Sequence, residues 1–452
     1  MVLFRNKNYY LWLSLIIAFG IAAVQVLNST IGILFFIVSF FVLILFGATN
    51  DMVMPILLFF LPWSKLLKIR PGTISMYTVA LVVVLLIYAF RNSRKFSIIH
   101  VFPAALLFAQ TLIVKTVTDD PIDNGYILFF LCMFLFPLIA SEKEKEYDFF
   151  TLMLFFTLGI VTAALSAKQL VVFPTISRYI TVDSYSSLTR LSGFYGDPNF
   201  YAAHITAALS GVMVLLLHEH TLLRKIVLYV SLIVLVYCGL LSVSKTFILI
   251  FICVTLLWII EILFRKGRIS SKLMLLLALL IGTIFVLSSV LFTDLIDMMI
   301  GRFFGSNAGS TISDFTTGRT DLWMVYLREF EAKPMVLLFG RGFTDDLVGN
   351  YSSHNIVIQS IYQFGLVGNV SLIIWIWIYY KNMLGSIKLY MNDVAQWLIF
   401  LGGVFGPWLS LDSLKFDEFF LMPFYVFVGI SYIVYANNDY WNNYTVDREV
   451  KV

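Results

Sequence analysis

Residues 224–264 read RKIVLYVSLIVLVYCGLLSVSKTFILIFICVTLLWIIEILF. Two apolar runs, near 224–241 and 246–264, flank the short polar turn Ser242-Val243-Ser244-Lys245-Thr246. A helix needs about 20 predominantly apolar residues to cross the hydrocarbon core of a bilayer, and both runs approach that length. A lysine in so tight a turn needs an anionic partner or must snorkel to the water-lipid boundary.

The same pattern extends in both directions. Apolar spans are expected near 10–27, 30–47, 52–63, 73–90, 98–114, 126–140, 149–166, 200–217, 273–292, 355–380, 395–411 and 419–436 as well. The total is about 12 to 14, the third being short enough to be re-entrant. The 452-residue chain is 60% hydrophobic, 17% aromatic and 13% charged, with a mean hydropathy of +0.90. Soluble domains carry about 25% charged residues, so lipid must be the solvent for most of this chain. The fold expected is all-α, a polytopic transmembrane helix bundle. The first run is followed at once by others, so it reads as a retained span rather than a cleaved signal.

Basic residues set the orientation. With the N-terminus inside (Arg5, Lys7), the inside loops collect Arg91, Arg94, Lys95, Lys143, Lys145, Arg224, Lys225, Arg265, Lys266, Arg268 and Lys272. Lys381, Lys388, Arg448 and Lys451 join them, so both termini are expected in the cytoplasm. The exception is Lys65, Lys68 and Arg70, which this register places outside. The organisation is then N-terminal transmembrane helices 1–166, a first outer loop 167–199, transmembrane helices 200–292, a large outer loop 293–354 and C-terminal transmembrane helices 355–452. The large loop suggests an ordered cap. Residues 319–333 read as a helix, with Leu322, Val325 and Tyr326 at i, i+3, i+4 and Pro334 ending the run.

Several classes of function fall away. A net charge of +4, spread along the chain, points away from nucleic acid. Cys132, Cys238 and Cys253 lie in apolar runs, where a disulfide framework is implausible. The inside loops are too short for a nucleotide-binding domain, and no Gly-rich phosphate loop faces that side. No His, Cys or carboxylate group has metal-ligand spacing; His218 and His220 point to different sides of a helix and suit a solvated inner turn. Ser242 to Lys245 fits the S-x-x-K pattern of penicillin-binding enzymes by chance, since the partner motifs are absent. Glu261 near an inner span end and His204 near an outer one are few ionisable groups for a coupled transporter, which needs carboxylates at mid-depth. Neither a fixed-period repeat nor mirrored halves appear.

The chemistry-bearing residues cluster in the outer segments. Arg190-Leu-Ser-Gly193-Phe-Tyr-Gly196-Asp197-Pro198-Asn199 ends where a span begins. Asp197-Pro198-Asn199 is a turn-and-cap signature, whereas Arg190 suits either a bidentate phosphate contact or a surface salt bridge. Lys245 suits a substrate phosphate or snorkelling. Gly318-Arg319-Thr-Asp-Leu-Trp323, Phe339-Gly340-Arg341-Gly342-Phe343 and Ser353-His354-Asn355 follow. His354 stands just before a long apolar span, and imidazole is the side chain best suited to proton transfer near neutrality, though a lone histidine is often structural. Tyr195, Trp323 and Tyr351 suit sugar stacking or interface anchoring.

In this order, these segments resemble the O-antigen ligase and polymerase family of bacterial envelope polysaccharide enzymes. The matching pieces are Arg190 to Asn199, the Ser242–Thr246 turn, Arg319 to Trp323, Gly340 to Gly342, and His354-Asn355 with Gly365-Leu-Val-Gly368. They cover roughly residues 190–375, and Lys245 stands where the family usually has Arg, which loses the planar fork. The resemblance implies a GT-C-like membrane glycosyltransferase, needing no metal or cofactor, at the outer face of the bacterial cytoplasmic membrane. It would polymerise polyprenyl-diphosphate-linked oligosaccharide units into O-antigen, capsular polysaccharide or exopolysaccharide. The alternatives are a ligase moving the finished glycan to an acceptor and, in another class, a flippase or exporter of the lipid-linked units. The implied partners are that lipid-linked oligosaccharide, the bilayer, a flippase and a chain-length regulator. By the same reading His354, Arg319 and Arg190 are catalytic, and Lys245, Asp197, Asn199, Arg341 and Asn355 bind substrate.

Overall fold

The computed structural model describes residues 7–27, 29–48, 52–70, 74–91, 98–119, 129–131, 133–134, 148–177, 184–185, 188–195, 197–265, 318–342, 348, 353–384, 394–411, 421–422, 424–434 and 436. Among them, eight helices are long and apolar enough to cross a bilayer, and four shorter apolar helices accompany them. The chain is a multi-pass helical membrane protein. The expected span near 273–292, most of that near 126–140, residues 293–317 of the large loop and Tyr351 lie outside the described residues.

In chain order the helices are α1 (Lys7–Leu27), α2 (Thr30–Ala48), α3 (Val53–Phe60, extended by the 3-10 turn Leu61–Leu66), α4 (Met76–Arg91) and α5 (Ile98–Thr118). Then come α6 (Phe149–Leu170), α7 (Pro198–His218), α8 (Leu222–Leu241) and α9 (Lys245–Arg265). Residues 318–342, from the segment expected to form a cap, hold α10 (Arg319–Ala332) and α11 (Pro334–Phe339); the chain continues with α12 (Ile356–Leu384), α13 (Val394–Phe405, extended by the 3-10 turn Gly406–Ser410) and α14 (Phe424–Val434). One departure from an all-helical chain is a two-residue antiparallel pair in the first outer loop, β1 (Ser184–Tyr185) and β2 (Leu188–Thr189), with Tyr185 opposite Leu188.

Burial divides the helices by role. α7 is buried on every face along most of its length, against α6, α8, α9 and α13, as a bundle's central helix must be. α8 and α9 instead turn Leu223, Ile226, Ile233, Ile252 and Leu256 outward, and in a bilayer that surface meets acyl chains. α3 is short because it touches no lipid: all eight of its residues are buried. Gly159 of α6 permits this, since a Cβ there would collide with the Phe59 backbone.

Alternate helix ends gather into two sets. At one end Lys7 Nζ meets Asp148 at 2.7 Å, and Gln396 links His218 (2.8 Å) to Glu261 (2.9 Å). Burial pushes the Asp148 carboxyl up, but Lys7 and Thr151 more than offset it and hold it below the ordinary aspartate value. His218 is therefore buried and bonded rather than solvated, because α13 packs over the end of α7. At the other end Gln25 Nε2 donates to the Leu66 and Lys68 carbonyls at 3.1 and 3.0 Å, and Lys65 donates to the Tyr195 carbonyl. Lys65 thus shares an end with the first outer loop, where the span count had put it against its charge.

α12 is broken. Gly365 has φ 65° and ψ 179°, a conformation only glycine adopts readily. Gly340, at φ 76° and ψ −173°, faces it backbone to backbone, and a Cβ on either would strike the other's turn. The carbonyls freed by the break are satisfied: Gln110 Nε2 donates to Phe364 at 2.8 Å, Arg341 N to Tyr362 at 2.8 Å, and Asn369 Nδ2 to Ser360 and Gly365 at 2.9 and 2.7 Å. Tyr362, with Ile358 and Ile361, shares a small apolar cluster with α10 and α11, built on Tyr326, Phe330 and Val336 and separate from the main core, which takes Ile356 and Phe364. The remaining stretch, 365–384, is about the 20 residues a crossing needs.

Candidate functional site

The turn between α8 and α9 is strained and braced. Val243 has φ 49°, a left-handed conformation costly for a β-branched residue. Arg190 holds it: Nε donates to the Ser242 carbonyl at 3.0 Å and Nη2 to the Val243 carbonyl at 3.4 Å, with the residue only 6% exposed. Arg190 is thus a buried brace for this turn, with at least two of its donors spent on main-chain carbonyls. Asp197 caps α7, its Oδ1 accepting from Asn199 N at 2.7 Å, as the turn-and-cap reading expects. Asn199 Oδ1 accepts the Ser244 hydroxyl at 2.9 Å, tying the first outer loop to the same turn.

Lys245, half-buried, is the first residue of α9, and Arg319 the first of α10. Helix N-termini carry partial positive charge, so a cation there is disfavoured by roughly 0.3–1 kcal/mol and an anion favoured by as much. His354 stands two residues before α12, with φ 47°. It is braced on both sides: Ser353 Oγ donates to Gln359 Oε1 at 3.0 Å, and Asn355 Oδ1 caps the helix from Val357 N at 2.9 Å.

Three hydrogen bonds join these termini. Thr246 and Ser410 hydroxyls lie 2.8 Å apart, Asn355 Nδ2 donates to the Leu409 carbonyl at 3.1 Å, and Trp323 Nε1 donates to the Ser353 carbonyl at 3.0 Å. The sequence motifs around Arg190, Asn199, Lys245, Arg319, His354 and Asn355 are thus linked at one end of the bundle. Asn355 and Asp197 serve as caps and straps. Trp323 and Tyr195 are both engaged, the latter stacked on His204 with ring centroids 4.4 Å apart.

Arg341 lies apart, beside the α12 break, at the other end of the nine-residue cap segment 356–364. Sequence reading missed what surrounds it. Gln110 also bonds the Phe339 carbonyl at 3.0 Å, and Lys115 packs on Gly342. Both were read simply as part of a membrane span and its edge; a glutamine and a lysine at i, i+5 near the outer end of an apolar run were the available signal. Among the described residues, no three His, Cys, Asp or Glu side chains gather as metal ligands would. No protein-family model matches the chain, and no characterised protein matches it closely enough to count as a relative.

Proposed function

We propose that the chain is a membrane glycosyltransferase that polymerises polyprenyl-diphosphate-linked oligosaccharides at the outer face of a bacterial cytoplasmic membrane. The observation that carries this reading is the placing of Lys245 and Arg319 as first residues of two helices linked through the turn that bears His354. Two cations at two positive helix ends make a good arrangement for a diphosphate. The apolar flanks of α8 and α9 suit a lipid tail, so one substrate could satisfy both features.

The acceptor sugar hydroxyl attacks the anomeric carbon of the donor. The carbon–oxygen bond to phosphate breaks, and polyprenyl diphosphate leaves with the electron pair. His354 takes the hydroxyl proton, while Lys245 and Arg319 stabilise the charge growing on the diphosphate. Arg190, Asp197 and Asn199 position the turn that carries Lys245, and Asn355 positions His354. A GT-C-like arrangement is part of this proposal.

The test is a deletion strain complemented with full-length protein and with Lys245→Met, Arg319→Ala and His354→Ala, each checked for accumulation. Removing one cation is expected to cost about 2–4 kcal/mol of barrier, a loss of roughly a hundredfold or more in polymer. Full polymer yield from all three variants overturns the assignment. In the deletion strain, glycans stopping at single repeat units support a polymerase. Full-length chains held on the carrier would make it a ligase, and units gathered on the inner leaflet a transporter.

A further inference from the structure

Lys115 is 5% exposed, yet among the described residues it makes no ion pair. Its stem crosses Gly342, with Cγ and Cε 3.0 and 3.2 Å from where a Cβ of Gly342 would stand, so any side chain there would displace the lysine. Asp119, one turn further on, leaves the helix with φ 57° and gives Lys115 no partner. Arg341 is fixed beside it by its backbone, and its side-chain Nε is buried without a hydrogen-bond partner. Among the described residues neither cation is paired with a carboxylate, and Lys115 on α5 lies against the turn that carries Arg341, so two positive groups are brought together. An anion between them would answer both charges.

We propose that Lys115 and Arg341 form a second anion subsite that holds the diphosphate of the acceptor lipid, an inference that rests on the glycosyltransferase reading above. A polymerase handles two lipid-linked substrates. The donor's diphosphate lies on the reacting carbon, but the acceptor's lies a repeat unit away from its attacking hydroxyl. The segment 356–364 separates His354 from the Arg341 turn by nine residues, about 14 Å of helix, which is the reach of a short oligosaccharide. Lys115 lies in the last turn of α5, at the same level as the cap and the α12 break, where a lipid head group would lie. A ligase whose acceptor carries no diphosphate has no use for this second site.

The experiment is equilibrium binding of radiolabelled geranylgeranyl diphosphate to the full-length protein in nanodiscs, with unfolding temperature measured on the same samples. The wild type is expected to bind two molecules. Lys115→Met and Arg341→Gln each weaken one site about tenfold or more, Lys245→Met weakens the other, and Lys115→Arg keeps both. Lys115→Met should also unfold at a higher temperature, because an uncompensated buried charge has gone; a lysine with a merely structural role would show the reverse. One site, lost in Lys245→Met and unchanged in Lys115→Met, overturns the second subsite and leaves the enzyme reading standing. Displacement from the Lys115 site by equimolar inorganic pyrophosphate makes the ligand a free phosphate and ends the acceptor assignment. Absence of binding in every sample removes both readings.

Discussion

Arg190 acts on the backbone. Two of its donors close on the carbonyls of Ser242 and Val243, and the second of those residues is held in a conformation its own side chain resists. Arg190→Ala leaves both carbonyls buried without that donor and should cost about 3 kcal/mol of stability, read as a lowered unfolding temperature in detergent. Lys245→Met should lose polymer at unchanged stability. The contrast separates a brace from a ligand contact: an Arg190→Ala protein of normal stability that fails to bind diphosphate would return the guanidinium to the substrate. The arginine was legible in the sequence because a cation beside glycines needs a partner. Its partners were not, because main-chain carbonyls leave no trace in residue type.

Among the elements, the α12 break shows where reading by periodicity runs out. An apolar run from 355 to 380 counts as one span, and the two glycines within it look tolerable. The break becomes visible only with its counterpart Gly340, some 25 residues earlier, because the two backbones fill each other's Cβ space. Gly340→Ala or Gly365→Ala should destabilise by at least 1–3 kcal/mol from backbone strain alone, with the steric clash in addition. The check is reduced accumulation and unfolding temperature for either variant, compared with Gly402→Ala, where a Cβ meets nothing nearer than 3.8 Å. By contrast the cap helix at 319–333 was legible: Tyr326 and Phe330 form its buried stripe, and it ends at Ala332, just before Pro334.

For the whole molecule, the alternation of helix ends follows from span counting, and the two sets of end contacts agree with it. The basic residues give an expected sidedness. A membrane-impermeant thiol reagent on intact cells should label Thr320→Cys and leave His220→Cys unlabelled until the membrane is permeabilised. The opposite result would put the cations of the candidate site in the cytosol and overturn the proposed outer-face reaction. The many-helix, apolar character of the chain was readable because apolar length is a one-dimensional signal; the convergence of separate loops was not, because it depends on packing among distant segments.

The wholly enclosed α3 has a consequence for biogenesis. Its own chain offers the translocon a 14-residue, mostly apolar helical segment from Val53 to Leu66, with three basic residues, Lys65, Lys68 and Arg70, at and just beyond its end, signals that favour retention on the ribosome side. The groove that receives it is floored by Gly159, which leaves the ribosome about a hundred residues later. At synthesis rates of about 5–20 residues per second, the nascent chain waits several seconds for that floor. The final threading of the amino-terminal third is therefore decided after the segment itself has been made.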